Sequence, residues 1–93
     1  MTTPSQAEQL DLLARAIADP TRRRILERLA REPGATTGEL AALAPGLTRF
    51  ATIKHLEVLR QAGLLRTMSE GRRRRHYAET AALGPLREWL AGR

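Results

Sequence analysis

Two short stretches carry the side chains that could do chemistry. TRFATIKHLEVL (48–59) sets Arg49, Phe50, Ile53 and Lys54 at helical spacing, and GRRRRHY (71–77) strings four guanidinium groups beside an imidazole and a phenol. A guanidinium forks onto phosphates and guanine edges, while Phe and Ile side chains can meet thymine methyl groups. This is chemistry for recognising a polyanion, not for making bonds. Catalysis has no visible apparatus: the two His stand 21 positions apart, and there is no Cys nucleophile and no Gly-rich phosphate loop. No carboxylate pair sits in an evident pocket, so the chain reads as a non-enzyme.

Charge placement supports a polyanion partner. Residues 1–47 carry six Arg and six acidic residues, whereas 48–93 carry ten Lys or Arg against four acids and so hold the whole net charge of +6. Such a localised patch is the electrostatic footprint of nucleic-acid binding. Fifteen of the sixteen basic residues are Arg, a bias that a GC-rich genome also produces. Double-stranded DNA is therefore the expected partner. RNA ranks lower, because one Phe, one Tyr and one Trp offer little stacking surface for unpaired bases.

The elements that must position these groups follow from caps and periodicity. Ser5 and Glu8 form a capping box before a helix over 6–18, with Leu10, Leu13, Ala14 and Ile17 on one stripe. Leu12 falls off that stripe, which points to a second apolar face. Asp19-Pro20 restarts the chain into a helix with Ile25, Leu26 and Leu29 inward, stopped by Pro33-Gly34. Thr36 and Glu39 make a second capping box, and Ala44-Pro45-Gly46 ends that short helix. Thr48 caps the next helix, which closes at Gly63, so 37–62 forms a helix-turn-helix. Strand candidates at 64–68 and 74–78 flank the Ser69-Glu70-Gly71 turn, giving a wing over 64–79. Leu83, Leu86 and Leu90 mark a last helix over 81–91. The fold class is mostly α with a small β-hairpin: a winged helix-turn-helix of four helices, a hairpin and a fifth helix.

Within 48–62, Thr52, Leu56, Leu59 and Gly63 share one face, so Arg49, Phe50, Ile53 and Lys54 fall outside it. The second helix of a helix-turn-helix enters the DNA major groove with its N-terminal residues against base edges. The expected DNA contacts are thus Thr48, Arg49, Phe50, Ile53, Lys54 and the borderline His55, with Arg72, Arg73, Arg74 and Arg75 from the wing. The competing reading packs Phe50 and Ile53 under a neighbouring element and leaves the Arg run as solvated charge. Arg22, Arg23 and Arg24 begin a helix, where cations are disfavoured. They read as surface charges paired with Asp19 or Glu27, with Arg22 or Arg23 able to graze phosphate.

Ninety-three residues make one domain, 1–93, with a modest core. With no Cys, disulfides and thiolate metal sites are excluded, and pairing with a second copy is the remaining way to gain stability. No apolar run approaches membrane-spanning length. MTTPSQAEQL has neither the basic start nor the apolar stretch of a signal peptide. No membrane partner and a cytoplasmic location are the expectations.

LARAIADPTRRRIL (13–26), TTGELAAL (36–43), LTRFATIKHLEVLRQAGLL (47–65) and EGRRRRHY (70–77) together resemble the ArsR-type winged-helix transcription repressors, in order and over nearly the whole chain. The resemblance implies a homodimer joined through its first and last helices, here through Leu10, Leu12, Leu13, Leu86, Trp89 and Leu90. It also implies repression at an inverted repeat whose half-sites lie about 34–36 Å apart. Founding members sense metals through a Cys pair on the helix matching 37–44, or through Asp and His on the last helix. This chain has Ala41 and Ala42 in the first place and neither His nor Cys over 81–93. No metal and no cofactor are therefore expected. A small organic effector at the dimer interface, or none, remains open. The alternative function is a winged-helix protein-interaction module with little DNA affinity.

Overall fold

The computed structural model describes residues 5–92. Four helices occupy the N-terminal part: α1 (Gln6–Ile17), α2 (Pro20–Arg31), α3 (Thr37–Ala41) and α4 (Arg49–Gln61). A short strand β1 (Ala35–Thr36) precedes α3. After α4 come β2 (Leu65–Glu70), β3 (Arg73–Ala78), a 3₁₀ turn (Thr80–Leu83) and α5 (Gly84–Leu90).

Each of these four helices starts where a side chain satisfies its free amides. Ser5 and Glu8 bond each other's backbone N–H at 3.2 Å in both directions, and Thr36 and Glu39 do the same at 3.2 and 2.9 Å. Asp19 accepts the Arg22 N–H at 3.0 Å, and Thr48 accepts that of Ala51 at 3.0 Å. Loss of such a cap typically costs about 1 kcal/mol. At the far end of α4, Gly63 takes φ +77°. Its N–H reaches the Arg60 carbonyl at 2.9 Å, and the Leu64 N–H reaches that of Leu59 at 3.0 Å. This Schellman closure needs a left-handed residue, which favours glycine. It turns the chain so that Leu64 and Leu65 drop into the core behind Leu59.

That core is one cluster. Leu13 and Ala16 of α1, Ile25 and Leu29 of α2, Leu40 of α3, and Leu56 and Leu59 of α4 meet Ala35, Leu64 and Leu65. Leu13 is only 2% exposed. It is filled in by its own chain and cannot be the dimer-face residue expected from the family pattern. Leu10, Leu12 and Leu86 are half-buried, while Trp89 and Leu90 are 60% and 72% exposed on α5, which packs beside α1.

The expected two-strand hairpin is a three-stranded antiparallel sheet, ordered β1-β3-β2. Ala35 pairs with His76 on one edge of β3, and Leu65 pairs with Ala78 on the other. β1 ties the start of α3 to the wing, so the helix-turn-helix and the hairpin are held as one unit. The last helix is also shorter than 81–91. Residues 80–83 wind as a 3₁₀ turn before Pro85 enters the first turn of α5.

Candidate nucleic-acid interface

On α4, Thr52, Leu56 and Leu59 are buried, which rotates the opposite surface fully outward. Phe50 is 69% exposed and Ile53 49%, with Arg49, Lys54, Glu57 and Arg60 exposed beside them. Among the described residues no neighbouring element buries Phe50 or Ile53, so the reading that packs them under a neighbour does not hold within the described part of one chain. Lys54 Nζ lies 4.7 Å from the Phe50 ring centroid, a cation–π pairing at a surface site. Thr48 is exposed, with its hydroxyl engaged as the cap. Arg49 folds back across α3, its Nη1 lying 3.8 Å from where a Cβ on Gly38 would sit.

The wing stands beside this surface. Alternation along β3 turns Arg74 and His76 toward α4 and sends Arg73, Arg75 and Tyr77 to the other face. Arg72 and Arg74 join Arg49 around a cleft of about 440 Å³ between α4 and the wing. Arg72, Arg73 and Arg74 are exposed, and no described ion pair includes them, Arg49 or Lys54. Arg49, Lys54, Arg72 and Arg74 therefore face solvent beside Phe50 and Ile53, while Arg73 is exposed on the other face of the wing.

Two expected contact residues have other duties. Arg75 donates from Nη1 to the Gly34 carbonyl at 3.0 Å and from Nε to Glu70 at 3.0 Å. It straps the hairpin to the loop before β1, where Gly34 (φ +90°) lies against the Tyr77 ring. His55 is turned inward, its Nδ1 accepting from Arg22 Nη1 at 3.2 Å and standing 4.0 Å from Asp19. Arg22 in turn donates from Nε to the Ala16 carbonyl at 2.8 Å and from Nη2 to that of Arg15 at 2.9 Å. Arg23 donates to the Ile17 carbonyl at 2.7 Å. Arg22 and Arg23 thus cap the end of α1, where cations are favoured. The unfavourable start of α2 is also the favourable end of its neighbour.

Sequence reasoning missed three participants. Glu57 and Arg60 extend the outward stripe, and Arg60 grips the Glu57 carboxylate at 3.1 and 2.5 Å. That grip holds Glu57 below the usual carboxylate range. Their spacing after Arg49 and Ile53 was the available signal. His76, 3% exposed, is a buried hub: Nε2 pairs with the Thr37 hydroxyl and Nδ1 with that of Thr67, both at 2.9 Å. Burial first, and the nearby Arg74 second, push its pKa below the ordinary histidine value.

The comparisons with known proteins agree with this architecture. A family described as a helix-turn-helix domain matches residues 17–67. A solved ArsR family transcriptional regulator is 37% identical and superposes at TM-score 0.84, over 99% of this chain and 91% of that one. The chain belongs to the ArsR-type helix-turn-helix transcriptional regulators. Another relative is the HTH-type transcriptional regulator Rv2034 of Mycobacterium tuberculosis, 44% identical over 77% of this chain. The chain spans 65% of that relative's length. The cadmium metal-sensor CmtR of M. tuberculosis is 42% identical, at TM-score 0.62 over 83% of this chain and 81% of that one. Among the described residues of this chain, no three His, Asp or Glu side chains cluster as a metal site requires.

Proposed function

We propose that this chain is a homodimeric, sequence-specific repressor that binds double-stranded DNA at an inverted repeat. The carrying observation is the uncovered Arg49-Phe50-Ile53-Lys54 surface of α4, flanked on the same side by the unpaired arginines of the wing. With α4 in the major groove, Arg49 forks onto a guanine edge, and Phe50 and Ile53 meet thymine methyls. Lys54 takes a phosphate or a guanine. Arg72 and Arg74 take phosphates along the strand that passes between helix and wing, and Arg73 takes one from the wing's other face. The two copies join through the apolar side of α1 and α5, where Leu10, Trp89 and Pro85 already edge a shallow groove. No described helix is long and apolar enough to cross a membrane, in keeping with work in the cytoplasm.

Selection of bound duplexes from a random pool, followed by titration, tests the reading. A winning inverted repeat should bind far more tightly than random duplex at moderate salt. Arg49→Ala should cost about 1–3 kcal/mol on that site and relax the preference at one base pair per half-site. Equal affinity for selected and random duplexes would remove the sequence-specific claim.

A further inference from the structure

The cleft between α4 and the wing has features that a passing phosphodiester strand does not use. Its inner wall is apolar, formed by Ile53 and Leu56 of α4 and Leu65 of β2, with Leu56 and Leu65 buried. Its positive groups, Arg49, Arg72 and Arg74, stand at the rim. The hydroxyls at the bottom, on Thr37 and Thr67, both bond His76, so only the one that accepts the ring N–H keeps a proton to donate, and a bare anion finds little to hold it there. Glu57 also faces the cleft, but its carboxylate is covered by Arg60 and Gln61, which leaves the rim positive. A volume of about 440 Å³ falls in the range of small-molecule sites, which combine an apolar lining with a few charged groups that fix orientation.

We infer that this cleft binds a small organic anion with an apolar body, such as an aryl carboxylate, sulfonate or phosphate monoester. The acid group sits among Arg49, Arg72 and Arg74, where guanidinium forks suit it. The body lies on Ile53, Leu56 and Leu65. An occupant there fills the space between helix and wing through which the duplex must run, so binding displaces DNA. That consequence rests on the DNA reading above, whereas the site itself does not.

Calorimetric titration of the chain with 1-naphthoate, beside inorganic phosphate as the bare anion, decides it. Naphthoate should give saturable heat and phosphate none. Arg74→Met should weaken naphthoate about tenfold and Ile53→Ser about threefold or more, while Arg87→Met, an equal loss of charge on α5, should change it less than about twofold. Both cleft positions are exposed, and thermal melts of the variants verify that they fold. Three outcomes overturn the site: no saturable heat up to roughly 5 mM naphthoate, phosphate binding as tightly, or cleft variants that match wild type. In a second arm, naphthoate should release a fluorescent random duplex. Release failing while calorimetry shows the predicted variant pattern overturns the competition. A duplex that never binds refutes the DNA reading, while the calorimetric outcome still decides the site.

Discussion

Replacing Arg22 with Ala is the sharpest test of how this fold is held. The guanidinium makes three contacts at once: the Ala16 carbonyl at 2.8 Å, the Arg15 carbonyl at 2.9 Å and His55 Nδ1 at 3.2 Å. Together they join the end of α1 to the start of α2 and the middle of α4. Hydrogen bonds from a charged donor contribute roughly 1.5–3 kcal/mol when well shielded. Arg22 is only partly buried, so about 1 kcal/mol each is the fitting value, or about 2–3 kcal/mol in all. Against a total stability of about 5–15 kcal/mol, that is a large fraction. For a domain of this size it lowers Tm by about 10–20 °C. The assay is thermal and urea unfolding at one fixed protein concentration, because the proposed dimer would make stability concentration-dependent. Arg22→Lys should recover part of the loss, since an ammonium restores charge at the end of α1 but cannot fork across two carbonyls. Arg24→Ala, an exposed neighbour, should stay within about 0.5 kcal/mol. An Arg22→Ala protein that melts within about 3 °C of wild type would show that the three contacts contribute nothing net.

Three further outcomes are expected. Arg73→Ala should weaken selected and random duplexes alike and reduce the slope of log affinity against log salt by about 1 in magnitude, read by anisotropy across a salt series. Because burial lowers the pKa of His76 in the folded state, the unfolded chain binds more protons just below the ordinary value of 6.5. Stability should therefore fall as pH drops from 6.5 toward the folded-state value, and His76→Gln should flatten that part of the profile in urea titrations. The lowered carboxylates Asp19 and Glu39 act only at more acid pH, in and below the usual carboxylate range, so the two effects separate. Trp89→Asp should shift the chain toward monomer in sedimentation velocity, by placing a charge in the apolar face of α5.

What the sequence revealed and what it hid divide along a physical line. Caps, glycine stops and helical stripes are set by residues within four positions of one another, so Ser5 with Glu8, Thr36 with Glu39, Thr48 and Gly63 were legible in the sequence. The outward turn of Arg49, Phe50, Ile53 and Lys54 was legible for the same reason, since Thr52, Leu56 and Leu59 define the opposite face locally. β1 was not legible: two residues make no alternation, and its partner His76 lies far along the chain. Leu13 was misassigned because spacing identifies an apolar stripe without saying whether the same chain or a second copy covers it. His55 and Arg75 were read as free side chains for a related reason, although the fold engages both. A charge beside a recognition surface looks available until a carbonyl or carboxylate from elsewhere claims it, as Gly34 and Glu70 claim Arg75 and as Arg22 engages His55. On the α4 and wing surface, the arginines left over after those claims, Arg49, Arg72, Arg73 and Arg74, are the ones a distant polyanion can still attract. Counting which donors the fold has already used is thus a better guide to this interface than counting positive charge.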